Sequence, residues 1–283
     1  MHELTFSVPK ITRILAKIYS AFTAQTKLDK KGRSFEIKRG VRQGDPFSSN
    51  IFNAVLEDVF AKLNWKGKGI SIKTRGQNLG KYIWLNNLRF ADDVVLVVKN
   101  SKELREMAED LVRASAEVGL SINKAKTNIS TNIENLEEIY LDEEKIVRVE
   151  EYKYLGQAVS FSDRTKKELK VRRANSWKAF WAKKAFWRSK LKLKTKIRIL
   201  ESSVMPVLTY GAQTWAITQQ QIEKLQTTQN AMIWSILRIK VKDKVRLEQL
   251  YTKTKAKPVG VATKLLKYRY AGHTMRDLKH KWN

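Results

Sequence analysis

The chain has 283 residues, 42% of them hydrophobic, which suffices for one large domain or two smaller ones with cores of their own. It contains no cysteine and only three histidines (His2, His273 and His280), which excludes disulfides and thiolate zinc sites and argues against a histidine-rich metal centre. The formal net charge is +28 and unevenly spread: residues 1–160 hold 26 basic and 21 acidic residues, residues 161–283 hold 30 and 7. A polyanion, above all nucleic acid, is the natural partner of such a chain, the alternative being a basic surface kept for solubility. No apolar run is long enough to span a bilayer, so no membrane partner is expected. Met1 is not followed by a basic start and an apolar block, so the chain reads as nuclear or cytoplasmic rather than secreted.

In chain order, residues 9–22 carry Ile11, Ile14, Leu15, Ile18, Tyr19 and Phe22 at helical spacing. A hairpin is predicted next, "AQTKL" and "SFEIK" about the turn "DKKGR". "RGVRQGDPFSS" follows, a loop whose two glycines and proline ask for unusual backbone angles, with Ser48 as the expected cap of a helix. That helix carries Ile51, Phe52, Val55, Leu56, Val59, Phe60 and Leu63 as one buried stripe. "GISIKTRGQNLG" reads as a connecting hairpin. "IWLNNLRF" and "VVLVV" read as strands, with "ADD" between them. A helix from Ser101 places Leu104, Met107, Ala108, Leu111, Ser115 and Val118 on one face, and Gly119 stands at its C-cap. "LSINKAKTNIS" reads as a strand, and "KIVRVEEYKYLGQAVSF" as a further hairpin. From about residue 162 the pattern turns basic and helical, with further helices predicted near 194–204, 218–238 and 244–252. A boundary near 161 therefore separates a mixed α and β part from a nearly all-helical one.

Asp92 and Asp93 stand side by side between two apolar strands. Adjacent carboxylates repel each other and lose solvation when partly buried, and a divalent cation removes that penalty. Mg²⁺ takes a few carboxylate oxygens together with waters and substrate phosphates, which suits a two-metal phosphoryl-transfer site. Taken alone, the bare tripeptide reads sooner as a polar hairpin turn, since aspartate favours turns. Its neighbours add weight. "GVRQGDPFSSNIF" is a glycine-rich loop opening a helix, whose amides approach a sugar or base closely and whose Gln43 offers hydrogen bonds. "GLSINKAKT" brings Lys126, a cation for phosphate charge.

This ordered set resembles the reverse transcriptases of non-LTR, LINE-type retrotransposons. "RGVRQGDP…SNIFN", "LRFADDVVLV", "GLSINKAKTN" and "YKYLGQ" are similar to four successive motifs of that family, and "VMPVLTYGAQTWAIT" and "KYRYAGHTMR" to the tail of endonuclease–reverse transcriptase polyproteins. The resemblance implies an α+β fold, a partial right-hand polymerase palm with an antiparallel sheet and packed helices, followed by a mostly helical thumb and tail. Residues 1–161 would be partial fingers and palm, and 162–283 the basic thumb and C-terminal tail. The implied reaction is RNA-templated DNA synthesis from dNTPs with two Mg²⁺ or Mn²⁺ ions, on an RNA template and a DNA primer. Asp92 and Asp93 would be the catalytic, metal-holding pair, with Lys126 assisting at the pyrophosphate. Arg42, Gln43 and Gly44 would lie against the incoming nucleotide and template. Tyr154, Leu155 and Gly156 would form the primer grip, and Phe90 would pack beneath the aspartate hairpin.

The sequence also departs from the family. A third metal-binding aspartate, on an earlier strand, has no counterpart here, and neither Glu3 nor Asp29 has the right local context to replace it. Ser49, Phe47 and Gln213 stand where the family usually has proline, often leucine and often glutamate. The expected outcome is a weak or inactive polymerase, the alternative a non-catalytic RNA- or DNA-binding protein that uses its basic half. In that half Lys170, Arg172, Arg173, Lys178, Lys183 and Lys184 are the expected phosphate contacts. Trp177, Phe180 and Trp181, at i, i+3, i+4 spacing among them, read as core. Oligomeric state is not legible in the sequence.

Overall fold

The computed structural model describes residues 9–20, 22–27, 29, 31–37, 40–42, 44–73, 82–133, 137–240 and 243–276. In chain order its elements begin with α1 (Pro9–Ser20), β1 (Thr23–Lys27), β2 (Lys31–Glu36), α2 (Pro46–Lys62), β3 (Ile70–Lys73), β4 (Tyr82–Leu85), β5 (Asn87–Phe90), β6 (Asp93–Leu96) and α3 (Ser101–Glu117). Short strands follow: β7 (Asn128–Ile129), β8 (Tyr140–Leu141), β9 (Glu144–Lys145), β10 (Val147–Arg148), β11 (Glu151–Tyr154) and β12 (Gln157–Ser160). The rest is helical: α4 (Arg164–Trp181), α5 (Lys184–Arg188), α6 (Leu193–Ile199), α7 (Met205–Leu208), α8 (Gln219–Leu237), α9 (Leu247–Thr254) and α10 (Val259–Arg276). The chain divides into two compact units, Met1–Gly69 with Asn86–Ile122, and Ile70–Leu85 with Asn123–Asn283.

Helix and strand are mixed, as expected, but one antiparallel sheet is not what the described strands build. They pair in twos, antiparallel except for the parallel pair β7 and β10. Such short strands offer few ladder hydrogen bonds, so helices and loops carry the packing. "IWLNNLRF" is interrupted at Asn86: β4 pairs with β3, and β5 with β6. "LSINKAKTNIS" is not one strand either. It holds a 3₁₀ turn, Lys124–Lys126, and only Asn128–Ile129 is extended and paired.

In the first unit, β1 and β2 form a hairpin, with Thr23 opposite Glu36, but Lys31, Gly32 and Arg33, expected in the turn, belong to β2. Asp45, not Ser48, caps α2: its carboxylate accepts from the Phe47 amide at 3.0 Å, with Pro46 as the first helical residue. Ser48 is instead buried, its hydroxyl 3.0 Å from that of Tyr19. Of the expected α2 stripe only Val59 is fully buried, and the others are half-buried. Val59, Trp65, Met107, Leu111 and Ala114 form the core between α2 and α3. Asn100 caps α3 by accepting from the Glu103 amide at 2.8 Å. At its other end Gly119 adopts φ +75°, and the Leu120 amide donates to the Ser115 carbonyl at 2.9 Å while the Gly119 amide donates to that of Ala116 at 3.0 Å. That is a Schellman motif, with glycine at the left-handed position.

In the second unit, one large core gathers Phe180, Leu200, Val204, Leu208, Leu225, Met232, Ile233 and Val259 from α4 through α10. The long basic helical pattern is broken after Trp181 and again after Arg188. α6 runs into α7 through a π-helical stretch, Leu200–Val204. Pro206 lies one turn on and has no amide to donate, and the wider turn accommodates that loss. Thr218 and Gln221 close a capping box at the start of α8. Buried Gln229 joins distant segments: its amide nitrogen donates to the Lys257 carbonyl at 2.7 Å and its oxygen accepts from the Val259 amide at 2.8 Å.

Candidate active site

The aspartates sit at the tip of the β5–β6 hairpin. Phe90 pairs with Asp93, Arg89 with Val94, Leu88 with Val95 and Asn87 with Leu96. Ala91 and Asp92 form the two-residue turn, and Ala91 adopts φ +51°, the positive φ that tight hairpin turns require. Both aspartates are exposed.

The base of the hairpin is anchored. Val94, Leu96 and Val98 pack on the core between α2 and α3. The Arg89 guanidinium lies 4.3 Å from the centre of the Phe60 ring and 3.2 Å from the Glu57 carboxylate. Glu103 holds the segments on either side by accepting from the amides of Gly69 at 2.7 Å and Lys99 at 3.2 Å. Phe90, expected beneath the hairpin, is instead 62% exposed. Its alternation with Arg89 puts Arg89, not Phe90, on the side of α2.

In the same unit Arg42 stacks on the Phe22 ring at 3.8 Å and is exposed, and Gly44 adopts φ +91° with open space where a Cβ would stand. Gln43 lies outside the described residues. Lys126 belongs to the second unit and is exposed, its amide capped by the Asn123 side chain at 3.2 Å.

Two exposed carboxylates on a hairpin turn are hard oxygen donors of the kind Mg²⁺ takes, its other positions falling to water and substrate phosphates. The donor set therefore fits the ion in kind. Among the described residues no group of three or more histidine, cysteine, aspartate or glutamate side chains is placed to hold a metal.

Leu155 and Gly156 form the β11–β12 turn, at φ +48° and φ +76°, and Tyr154 is the last residue of β11, opposite Gln157. Of the cations expected on phosphates, Lys170, Arg173, Lys178 and Lys184 are exposed and Lys183 is half-exposed, although the Arg173 guanidinium also donates to Thr228 at 2.9 Å. Arg172 is placed elsewhere. It is 6% exposed, paired with Glu168 one turn earlier, and donates to the Gly156 carbonyl. Among the basic residues alone nothing separates it from Arg173. The nearby Glu168 was the available signal, an acidic residue four positions before an arginine in a segment otherwise poor in acid. Trp177 packs on the core and Phe180 is wholly buried, as their spacing implies, but Trp181 is 51% exposed and stacks on Trp177 at 6.1 Å.

Residues 2–159 match the family described as reverse transcriptase (RNA-dependent DNA polymerase). The chain belongs to this reverse transcriptase family. Among curated proteins it is 28% identical over 207 residues to an uncharacterized transposon-derived protein of Caenorhabditis elegans, covering 70% of this chain and 74% of that one. It is 26% identical over 202 residues to a retrovirus-related Pol polyprotein from the type-1 retrotransposable element R2 of Popillia japonica, covering 67% of this chain and 26% of the polyprotein. A second such R2 polyprotein of the same beetle is 23% identical over 216 residues, with 33% of its length covered. These relatives place the reverse transcriptase in the non-LTR retrotransposon lineage. The family binds nucleic acid template and primer and works with divalent metal ions. Among the described residues no helix is long and apolar enough to cross a membrane.

Proposed function

We propose that the chain is the palm and thumb portion of a non-LTR retrotransposon reverse transcriptase, with residues 1–161 as partial fingers and palm and 162–283 as thumb and tail. The observation that carries the reading is the β5–β6 turn: two adjacent, exposed carboxylates on a hairpin whose base is locked into a core, in a chain of this family. Asp92 and Asp93 would hold Mg²⁺ or Mn²⁺, which supplies charge neutralisation at the transferred phosphoryl group when bound. Arg42, Gln43 and Gly44 line the approach of the dNTP and template, Lys126 offsets charge at the pyrophosphate, and Tyr154, Leu155 and Gly156 hold the primer end. The exposed cations Lys170, Arg173, Lys178, Lys183 and Lys184 contact phosphates of the template–primer duplex.

By itself the chain would extend primers weakly or not at all, because its sequence carries no counterpart of the third metal-binding aspartate that the family has. The second reading, a nucleic-acid-binding protein without catalysis, is favoured by the basic second half, 30 cations against 7 anions after residue 160. Primer extension on an RNA template with Mg²⁺ or Mn²⁺, comparing the chain with Asp92→Asn, tests both. Salt-sensitive template–primer binding with little or no extension is the expected result. Vigorous extension that Asp92→Asn abolishes would overturn the weak-activity part. Loss of binding altogether would overturn both readings.

A further inference from the structure

The turn assigned to the primer grip is a two-residue hairpin turn with a leucine where asparagine, aspartate or glycine is the usual residue. Leu155 adopts φ +48° and Gly156 φ +76°. A left-handed leucine is strained, and such strain persists where the surrounding structure supports it. Those surroundings come from two segments far along the chain. The Tyr210 hydroxyl donates to the Leu155 carbonyl at 2.9 Å. Arg172 donates to the Gly156 carbonyl, and its guanidinium lies 4.7 Å from the centre of the Tyr210 ring. Glu168 pairs with Arg172 through one carboxylate oxygen and with the other accepts from the Ala158 amide at 2.7 Å. Both carbonyls of the turn are thus taken by side chains of the helical segment.

The fit is close on both sides. A Cβ at Gly156 would come within 3.3 Å of the Tyr210 ring. Gly211, at φ +77°, faces Gln157, and a Cβ there would come within 2.8 Å of that side chain. Gln157 is itself held, accepting from Thr214 at 3.2 Å and from Arg164 at 3.3 Å. A buried ion pair is a weak source of stability, and in some systems such a pair instead fixes one arrangement among several. Here the arrangement it fixes is that of a turn.

We infer that Glu168, Arg172 and Tyr210 are positioning residues, a clamp by which α4 and the Tyr210–Gly211 turn hold Leu155 and Gly156 in the one conformation that seats a primer terminus. The role in seating rests on the primer-grip assignment proposed above; the clamp itself does not. "TYGAQTW" and the Glu168–Arg172 pair thereby act on the primer end without touching it.

Tyr210→Phe keeps the ring and removes the hydroxyl, and Arg172→Lys keeps the charge and removes the fork. Amide hydrogen exchange at residues 155–158 is measured against α8 as the reference, in the full chain. A DNA primer carrying 2-aminopurine at its 3′ end, annealed to RNA, reports the primer terminus at saturating protein. The clamp predicts exchange at the turn faster by up to about tenfold, α8 unchanged, an altered primer-end fluorescence, and duplex affinity unchanged. Unaltered exchange in both variants overturns the clamp, whatever the turn does for the primer. Faster exchange with a primer-end signal identical to that of the unsubstituted chain overturns the primer-grip assignment and the positioning role with it.

Discussion

Phe90 and Asp93 pair across the β5–β6 hairpin, the last pair before the turn that carries Asp92. The pairing leaves both aspartate side chains in solvent, so neither supports the fold. Asp92→Asn and Asp93→Asn should each leave the urea midpoint nearly unmoved, the unfolding free energy staying within about 0.5 kcal/mol of that of the unsubstituted chain. If the pair holds Mg²⁺, the ion raises that midpoint by mass action and each substitution removes the rise. Urea titrations with and without Mg²⁺ check both statements.

Ala91 supplies the positive φ of the same turn without being glycine. Ala91→Gly relieves a strain of about 1 kcal/mol, partly offset by the greater freedom of glycine in the unfolded chain. A small net stabilisation in chemical denaturation is expected, whereas Ala91→Val, β-branched at the same φ, should destabilise.

The Glu168–Arg172 pair is closed to solvent, with Glu168 2% exposed. Removing one member strands the other, at a cost of roughly 3–5 kcal/mol. Arg172→Met and Glu168→Leu should therefore each destabilise strongly, and the double variant by less than the sum. A double-mutant cycle on unfolding free energy measures the difference.

Burial pushes the Tyr251 phenol up to about 12, against a smaller lowering by its hydrogen bond with Gln226. The folded state thus keeps its proton where the unfolded phenol, near its ordinary value of about 10, has begun to lose it. The contribution is fully present below pH 10 and is lost as pH rises from 10 to 12. Stability measured across that window should fall, and it should fall less steeply in Tyr251→Phe, which has no proton to hold.

Lys170, Lys178 and Lys184 are exposed in the basic half. If each meets a duplex phosphate, replacing all three by alanine should flatten the log–log salt dependence of binding by about 2.7, near 0.9 per contact. Titrations at several salt concentrations read the slope. An unchanged slope would place the binding surface elsewhere.

Much of the site was legible without coordinates because its signals are local. A hairpin about "ADD", a glycine-bearing loop opening α2 and a glycine closing α3 each follow from residues within one turn of one another, and the structure has all three. Ser48 misled because serine and aspartate cap helices equally well, and Pro46 decides for Asp45 by fixing the first helical residue. Phe90 misled because alternation alone does not say which face of a strand is covered.

The sequence by itself determined the family, the carboxylate pair and the basic excess of the second half, all properties of residue type and order. Only the tertiary structure decided which cations are surface. Arg172 and Lys196 count toward the charge yet lie inside, Arg172 on Glu168 and Gly156, Lys196 on the carbonyls of Trp187 and Ser189 at 2.8 Å each. The reason is range. A helix pattern specifies a face, but what that face meets is fixed by segments tens of residues away, as Tyr210 meets Leu155 across 55 positions of chain.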